Sequence, residues 1–405
     1  MNAQRQVVML LAKPYVIDSR VMNEATSMKA LGHSVHVICW DRDGRQPSSF
    51  RLGGVSVRSL RLVGGKSANR IGYLISGLLL QVYAFFWCIA EPRGRFILHA
   101  NDFNTLFGGV LVKIARGKQV RLVYDCHEFT PSSFAEWFGS TSIGILAGVL
   151  EKRLMRMTDA IITVSPGIGA YLTRETGREI TLVANTPRLS QVPTQSKSWW
   201  KEKLELGGFV VSFVGYLRYD AALDELVDVA RMFKNQGNCD ISFVVVGSGP
   251  DWVKLENKIR GLDGSFKLLP NVPYPLALGY VRASDLAYAV YRYGGTGSKQ
   301  ASRHWLFGGQ EELTMHWKVS EAMACSTCVI LRSGTLEWKF VDSIGFGLSA
   351  GMGTEQEIFE AIEWAYKNPE GARALAEKGH AYFEKEYNWE QMEEHLRHAY
   401  GGTRD

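Results

Sequence analysis

Two short stretches of the sequence place charged side chains where they could bind a ligand or transfer a proton. In the first, Lys318 and Glu321 lie three residues apart within Met315–Ile330, so that on a helix they share one face. Most such pairs are ion pairs on a protein surface. The alternative is a sugar-nucleotide site, in which Glu321 accepts hydrogen bonds from ribose hydroxyls and Lys318 faces a phosphate.

The second stretch is Asp125–Glu128, D-C-H-E, which follows a predicted strand over Leu122–Tyr124. His127 therefore lies between Asp125 and Glu128 at the C-terminal end of a strand, where α/β enzymes hold reactive groups. A structural histidine held by hydrogen bonds is the alternative.

Three further charged residues lie next to predicted elements of the first half. Asp18 and Arg20 open an amphipathic helix predicted from about Ser19 to Leu31, and Asp102 stands at the C-terminal end of the strand Phe96–His99. Charges at a helix start are also explained by the helix dipole alone.

Two turns in the second half follow predicted strands. Gly247 begins the tight turn G-S-G-P, and Gly334 and Thr335 belong to a strand-to-helix turn. Backbone N–H groups at such a helix start hold phosphate well.

The elements that position these residues alternate between buried strands and amphipathic helices. One series begins with the strand Val7–Leu11, and a second begins with the strand Val210–Gly215. This alternation is typical of Rossmann-like, doubly wound parallel sheets. Because the first β–α–β unit has no G-x-G-x-x-G turn, NAD or FAD binding is not expected. The predicted organisation is an α/β protein with domains over 1–188 and 201–386, a linker over 189–200 and a terminal helix over 387–405.

Composition excludes several classes of protein. The chain has 405 residues, of which 46% are hydrophobic and 21% charged, as in a globular protein of two domains. A net charge of +5 suits an anionic substrate or membrane surface, and no nucleic-acid-binding motif is present.

The six cysteines form no disulfide framework, and the lone pair Cys325 and Cys328 indicates core packing rather than zinc. The short polar N-terminus predicts no signal peptide and a cytoplasmic protein.

The segment Ile71–Ala90 is unusual because its twenty residues carry no charge, while arginines and a lysine flank it. Its length would allow it to span a bilayer. It falls, however, between two strands of one predicted sheet, and a span would separate them. A helix packed in the core and a helix lying in the membrane interface are the other two interpretations.

Ten runs of the sequence, taken in order, resemble one known family. The chain is similar to retaining glycosyltransferases of the GT-B fold, grouped as glycosyltransferase family 4 or glycosyl transferases group 1. The resemblance covers nearly the whole chain and rests on D-S-R-V-M-N-E-A with A-L-G-H-S-V-H-V-I, H-A-N-D, V-Y-D-C-H-E, T-D-A-I-I-T-V-S, F-V-G-Y-L-R, V-V-V-G-S-G-P, N-V-P-Y, A-S-D-L-A and K-V-S-E-A-M-A-C-S-T-C-V-I.

The resemblance implies two Rossmann-like domains facing a cleft, with 1–188 binding the acceptor and 201–386 binding the sugar nucleotide. The terminal helix would return toward the first domain. No cofactor and no metal are implied, since the donor is itself a nucleotide-diphosphate sugar.

The resemblance also implies a role for each candidate residue. Glu321 would hold the donor ribose, Arg218 and Lys318 would neutralise the diphosphate, and Gly215 would allow close approach of the backbone. His127 would lie at the reaction centre, oriented by its carboxylate neighbours. The complete implied set is His127, Asp125 and Glu128 for catalysis, Gly215, Arg218, Lys318, Glu321, Gly247, Gly334, Thr335 and Glu312 for the donor, and Asp18, Arg20 and Asp102 on the acceptor side.

One departure from the family pattern concerns the sugar contact. Many relatives carry a second glutamate eight positions before the one that Glu321 matches, and here that position is Leu313, preceded by Glu312. Either a shift of one residue lets Glu312 serve, or this contact is missing.

The function implied is retaining transfer of a hexose from a nucleotide-diphosphate sugar to a lipid-linked or surface-polysaccharide glycan, without a metal. A cytoplasmic location is expected, with peripheral contact to the inner face of the cell membrane through Ile71–Ala90. No nucleic-acid partner is expected. Two alternatives stay open: a GT-B epimerase acting on a sugar nucleotide, and a non-catalytic GT-B scaffold that binds a partner protein.

Overall fold

The computed structural model describes residues 5–62, 70–238, 240–292 and 315–401. Within them the chain divides into two compact units. The first consists of residues 5–184 and 392–401, and the second of residues 185–292 and 315–391. The segment 189–200, predicted as a linker, lies within the second unit, where it contains a 3-10 turn and the start of a helix.

The first unit alternates strands and helices from its first strand onward. Its elements are β1 (Gln6–Leu11), α1 (Ser19–Ala30), β2 (Ser34–Trp40), β3 (Ser49–Leu52), β4 (Val55–Leu60), α2 (Arg70–Ala90), β5 (Phe96–Asn101), α3 (Phe103–Arg116), β6 (Val120–Cys126), α4 (Thr130–Phe138), α5 (Thr141–Met155), β7 (Ala160–Thr163), α6 (Pro166–Thr176) and β8 (Thr181–Leu182).

The strands of the first unit form one sheet in the order β3-β4-β2-β1-β5-β6-β7-β8. The pairs are parallel except β3 with β4, which is antiparallel. The central strand β1 pairs with β2 and β5, with Val7 opposite Val35 and Ile97. Its continuous apolar run, Val7 to Leu11, is buried, as expected for a parallel strand covered by helices on both faces.

The second unit repeats the same plan. Its elements are α7 (Lys197–Lys203), β9 (Phe209–Tyr216), α8 (Leu223–Asn235), β10 (Ile241–Ser248), α9 (Trp252–Lys258), β11 (Phe266–Leu269), α10 (Tyr274–Ala283), β12 (Leu286–Ala289), α11 (Trp317–Ala324), β13 (Cys328–Leu331), α12 (Leu336–Ile344), β14 (Leu348–Ser349), α13 (Glu355–Lys367) and α14 (Pro369–Lys385). The last helix, α15 (Trp389–Ala399), begins in this unit, and its residues from Met392 onward belong to the first unit.

The second sheet has the order β11-β10-β9-β12-β13-β14, and its pairs are parallel. Order reverses at β9, which lies between β10 and β12. In open parallel sheets, ligands bind at the carboxyl ends of the strands beside such a reversal. The predicted fold class, two doubly wound parallel-sheet α/β domains, is therefore confirmed.

The segment Ile71–Ala90 lies in one helix, α2. It is the one helix within the described residues that is long and apolar enough to cross a membrane by length and composition, and only 22% of its most apolar window is buried in the protein. One face, with Leu80, Ala84 and Cys88, is buried, whereas Leu78 and Phe86 are exposed. This division excludes a helix buried on all sides in the core.

Candidate active site

A cavity of about 390 Å³ opens at the carboxyl end of the second sheet. The end of β9, the residues after β12, and the beginnings of α10 and α11 form its wall. Side chains and backbone of Gly215, Tyr216, Tyr274, Tyr291, His316, Trp317, Lys318 and Glu321 are among its lining. Strand ends and helix starts thus converge where doubly wound sheets bind ligands.

The helix α11 brings Lys318 and Glu321 into this cavity together. Its apolar residues Val319, Ala322 and Met323 are fully buried and fix the helix against the core. Lys318 and Glu321, one turn apart, both line the cavity. The interpretation of this pair as a surface ion pair is therefore wrong, since Glu321 is only 9% exposed.

Lys318 is held by aromatic side chains. Its ammonium donates a hydrogen bond of 2.7 Å to the hydroxyl of Tyr291 and lies 4.3 Å from the ring centre of Phe213. Burial lowers the pKa of Lys318 to about 8, against the opposing effect of the carboxylates of Glu321 and Glu337. The ammonium is thus a cation with little hydration, ready to neutralise an anionic group.

The pKa of Glu321 is shifted in the opposite direction to that of Lys318. Burial raises the pKa of its carboxyl group to about 7, although Lys318 and a hydrogen bond with Tyr274 oppose this change. Burial favours the neutral form of both side chains. Each charged group loses stabilising contacts with water when it is buried. A ligand could replace these contacts if its hydroxyl groups donate hydrogen bonds to the carboxylate and its anionic group pairs with the ammonium.

Glycine is required at two positions behind the cavity. Gly215 has φ of +146°, and a Cβ there would lie 2.8 Å from the ammonium nitrogen of Lys318. At Gly247, a Cβ would lie 1.8 Å from the carbonyl oxygen of Gly215. The two strand ends therefore approach each other and Lys318 more closely than any side chain permits.

A second group of residues at the cavity was missed in the sequence. The ring of His316 stacks on Tyr291, with centroids 3.6 Å apart. The carboxylate of Glu337, which is 1% exposed, accepts hydrogen bonds from the His316 backbone N–H at 2.7 Å and from its ring at 2.9 Å. Tyr291 lies two residues after the end of β12, so the rule of strand ends could have identified it. Nothing in the sequence links Glu337 to His316.

Three predicted donor residues lie at the same edge of the sheet without lining the cavity. The guanidinium of Arg218 follows β9 and bonds to the carboxylate of Asp220. Gly334 has φ of +79°, and Thr335 accepts a hydrogen bond of 2.9 Å from the Trp338 backbone N–H, which caps α12. Their predicted contact with phosphate stays a prediction. Glu312 lies outside the described residues.

The first unit holds a separate cluster of charges at the end of β6. The ring of His127 contacts two carboxylates: its Nε2 is 2.6 Å from Asp125, and its Nδ1 is 3.3 Å from Asp102. Asp102 adopts a strained φ of +63° at the start of α3. The carboxylates overcome the effect of burial and hold the pKa of His127 well above its usual range. His127 is therefore a cation that donates hydrogen bonds.

Arg20 lies behind this pair and is 4% exposed. Its guanidinium binds both oxygens of Asp125 at 2.9 and 2.8 Å, the carbonyl of Val183 at 2.5 Å and the carboxylate of Glu24 at 3.1 Å. Despite burial, Arg20 and His127 hold the pKa of Asp125 well below its usual range. Asp125 is thus an anion shared by two cations, which fixes the orientation of His127.

The other two predicted residues of this unit lie at the margin of the cluster. Asp18 caps α1 by accepting a hydrogen bond of 3.0 Å from the Val21 backbone N–H and pairs with Lys13 at 2.8 Å. Glu128 accepts a hydrogen bond of 2.8 Å from Ser133. Burial and the nearby charge of Asp102 raise the pKa of Glu128.

One group in this cluster has the spacing of metal ligands. Oxygen or nitrogen atoms of Glu24, His99 and Asp125 lie within 4.8 Å of one another. Arg20, however, binds both carboxylates, and its charge opposes a second cation among them. Burial raises the pKa of Glu24 well above its usual range, so its neutral form is favoured. An ion-pair network fits these residues better than a metal does.

Comparisons with known proteins agree with this fold. A comparison with curated protein sequences gives no match. Among solved structures, sucrose-phosphate synthase from Thermosynechococcus elongatus has a TM-score of 0.77 at 16% identity, covering 98% of each chain. HepE from Anabaena has a TM-score of 0.69 at 16% identity, covering 98% of this chain and 99% of its own. The glycosyltransferase WaaG has a TM-score of 0.64 at 12% identity, covering 98% of this chain and 100% of its own.

Two family models match separate parts of the chain. The Glycosyl transferase 4-like domain matches residues 17–186, which fall almost wholly in the first unit, and the model Glycosyl transferases group 1 matches residues 208–368 of the second. The matched segments together span most of the sequence. The chain therefore belongs to the glycosyltransferases of the GT-B fold, with a Glycosyl transferase 4-like domain followed by a Glycosyl transferases group 1 domain.

Proposed function

We propose that this glycosyltransferase moves a hexose, with retention of configuration and without a metal, from a nucleotide-diphosphate sugar to a lipid-linked or surface-polysaccharide glycan. The observation that carries the proposal is the cavity of about 390 Å³ that half-buried Lys318 and buried Glu321 line together, one turn apart on α11. The ammonium of Lys318 suits an anionic group, and the carboxylate of Glu321 suits a pair of hydroxyl groups. A sugar nucleotide supplies both in its diphosphate and its ribose.

Solved relatives support the choice of donor. HepE has been solved with UDP, with UDP-glucose, and with UDP and glucose. The catalytic domain of starch synthase IV from Arabidopsis thaliana has been solved with ADP and acarbose. These proteins are at most 16% identical to this chain, so the base that this chain prefers is left to experiment.

The proposed chemistry follows from the charges around the cavity. As the bond between the anomeric carbon and the diphosphate breaks, negative charge develops on the diphosphate, and the ammonium of Lys318 stabilises it. Glu321 holds the ribose and so fixes the nucleotide during this step. The acceptor hydroxyl oxygen bonds to the anomeric carbon from the face that the diphosphate leaves, and its proton passes to the departing diphosphate. This course retains the configuration.

The state of His127 limits its role in this reaction. Because its pKa is raised well above the usual range and both ring nitrogens contact carboxylates, it is not suited to accept a proton. We assign it an electrostatic and positioning role, with Asp125 and Arg20 as its supports. The acceptor side, assigned to Asp18, Arg20 and Asp102, belongs to the same proposal.

The test is product analysis with UDP-, GDP- and ADP-sugars and a panel of glycan acceptors. Release of the nucleoside diphosphate with an α-linked product from an α-linked donor, read from the anomeric proton coupling by NMR, would support retaining transfer. A changed sugar nucleotide without release would favour an epimerase. Donor binding without turnover by any acceptor would favour a scaffold.

A further inference from the structure

Three helices of the first unit cover one face of its sheet. The connections β4–α2–β5, β5–α3–β6 and β6–α5–β7 all advance in the same direction across the sheet. Right-handed crossovers that advance in one direction put their helices on one face of the sheet. Accordingly, α2 packs against α3 and α3 against α5. We call the outer surface of α2, α3 and α5 the three-helix face.

The three-helix face is apolar along its whole width. On α2, Leu78 and Phe86 are 54% and 66% exposed, on α3 Ile114 is 60% exposed, and on α5 Ile145 and Leu146 are 49% and 67% exposed. Further large apolar side chains on the same helices are exposed by more than a third. Contiguous apolar surface of this kind marks an interaction site on a protein.

Hydrogen bonds along its length join the helix α2 to the rest of the unit. The hydroxyl of Tyr83 accepts a hydrogen bond of 3.0 Å from Arg58, and Gln81 accepts one of 2.7 Å from the Gly108 backbone N–H. At its end, Arg116 donates to the carbonyl of Ile89 at 2.9 Å. The strands β4 and β5, which precede and follow α2 in the chain, belong to one sheet. The helix therefore cannot cross a bilayer and can contact one only with its exposed face.

Charge distinguishes the possible occupants of this face. In the described residues of the three helices, the only carboxylate is Glu151, which is 1% exposed and accepts hydrogen bonds from Tyr124 and Thr130. Helices of a parallel sheet end at the same edge, and cations collect at that edge. The exposed cations are Arg93, Arg95, Lys118, Arg153 and Arg156, against the exposed acids Glu91 and Asp159, the second of which pairs with Lys113.

We infer that the three-helix face docks on the surface of an anionic lipid bilayer, with its apolar side chains among the acyl chains and its basic edge at the headgroups. This inference rests on the proposed function, whose acceptors include lipid-linked glycans, and deepens the membrane contact predicted for Ile71–Ala90. An apolar surface bordered by cations is the pattern of interfacial helices. A second copy of this chain would bring the same basic edge, so the cations at this edge would face other cations and no anionic partner. The new element is the participation of α3 and α5, which lie outside the apolar segment Ile71–Ala90.

The test is vesicle flotation of the full chain with phosphatidylcholine vesicles and with vesicles that also contain phosphatidylglycerol. Leu146→Glu tests α5, Phe86→Glu tests α2, and Val253→Glu, at a position 63% exposed on α9 of the other unit, is the matched control. We expect each of the first two variants to weaken binding to anionic vesicles about tenfold or more, because a carboxylate enters the acyl region. The control should bind like wild type.

A second pair of variants tests the basic edge. Arg153→Glu with Arg156→Glu should weaken binding to anionic vesicles and leave the weak binding to neutral ones unchanged, and added salt should reduce the difference. UDP-induced thermal stabilisation, measured on every variant, shows that the fold and the nucleotide site are intact. Loss of vesicle binding with unchanged UDP binding thus separates this inference from the proposed donor site.

Three results would overturn the inference. The first is flotation of Leu146→Glu with anionic vesicles to the same extent as wild type, which would show that α5 is not part of the membrane-binding surface. Another is wild-type protein that binds no vesicle, whatever its nucleotide binding. The third is a wild-type dimer that Leu146→Glu converts to monomer, because the face would then belong to a second copy of this chain.

Discussion

Lys318 and Glu321 illustrate how burial tunes a pair of side chains. The pKa of Glu321 is raised to about 7 and that of Lys318 is lowered to about 8. Below about pH 7 the carboxyl group of Glu321 is protonated and accepts hydroxyl donors poorly. Above about pH 8 Lys318 loses its charge. Both groups are in the binding form only between these values.

The first prediction concerns pH. We expect kcat/KM for the sugar nucleotide to follow a bell-shaped profile with its maximum between about pH 7 and 8. The acidic limb should disappear in Glu321→Gln, whose amide does not titrate. A profile that is flat from pH 6 to 9 in the wild type would show that the pair does not control donor binding.

The second prediction tests the charge of Lys318. Lys318→Met should weaken binding of UDP about 10- to 100-fold, because it removes a charge-assisted contact to phosphate, and should leave binding of uridine unchanged. Lys339→Met, at an exposed position of α12, is the matched control. Calorimetric titration measures both affinities. Equal loss for UDP and uridine would mean that Lys318 shapes the cavity and does not contact phosphate.

The third prediction tests the close approach at Gly215. Gly215→Ala combines an unfavourable φ with a Cβ that would lie 2.8 Å from the Lys318 nitrogen. We expect it to cost about 1–3 kcal/mol of unfolding free energy and to weaken UDP binding by displacing Lys318. Gly207→Ala, where a Cβ meets nothing within 4 Å, should change neither. Denaturant unfolding and calorimetry report the two quantities.

At the scale of elements, the beginning of α12 links the cavity to the adjacent strand end. Glu337 in its first turn binds His316, which stacks on Tyr291. Thr335 caps the same helix. This arrangement ties the first turn of α12 to His316 in the cavity wall, next to the turn where the sequence predicted a phosphate contact.

The fourth prediction separates capping from ligand binding. Thr335→Ala and Thr354→Ala each remove a side-chain cap, of α12 and α13 respectively, and each should cost about 1 kcal/mol of stability. We expect only Thr335→Ala to weaken UDP binding, by a few-fold, because the first turn of α12 binds His316 of the cavity wall and no residue of α13 lines the cavity. Equal UDP affinity in the two variants would reduce Thr335 to a structural cap.

Most elements could be predicted from periodicity, and the misses have physical causes. The helix predicted from about Ser19 to Leu31 matches α1, and the predicted strands Val7–Leu11 and Val210–Gly215 match β1 and β9. The helix has an amphipathic period, and each strand is a largely apolar run. The helices α4 and α5 were not predicted. Apolar residues of α5 such as Ile145 and Leu146 lie on its outer side, so apolar residues occur around the helix and blur its period.

The site could be predicted only where its residues are neighbours in sequence. Lys318 and Glu321 share one helix, so their spacing brings them together. His316 and Glu337 are 21 residues apart, and the turn from α11 through β13 to α12 joins them. Likewise, the pairing of Arg20 with Asp125, 105 residues away, depends on α1 and β6 meeting in the first unit. Tertiary structure alone creates such contacts.

At the scale of the whole molecule, the buried charges of the first unit couple its stability to pH. Asp125 has a pKa below its usual range, so its contribution is complete above about pH 4 and is lost as the pH falls further. His127 has a raised pKa, so its contribution is complete below about pH 6.5 and is lost as the pH rises through its folded value.

The fifth prediction follows from these signs. The unfolding free energy of the wild type should lose the contribution of Asp125 below about pH 4, and it should lose the contribution of His127 as the pH rises above about 6.5 and this residue loses its proton. His127→Gln should remove that alkaline decline and keep the acidic one. Denaturant unfolding monitored across pH measures both. An alkaline decline that persists unchanged in His127→Gln would assign it to another group.

The measurement that tests the central claim most directly is a thermal-shift panel of UDP, GDP, ADP and their sugars on wild type, Glu321→Gln and the control Glu256→Gln, an exposed position of α9. A ligand that binds only the folded protein raises its melting temperature. We expect one base to stabilise the wild type and the control, with that stabilisation clearly smaller in Glu321→Gln. No stabilisation of the wild type by any nucleotide, or equal stabilisation of all three proteins, would contradict the assignment of this cavity as the donor site.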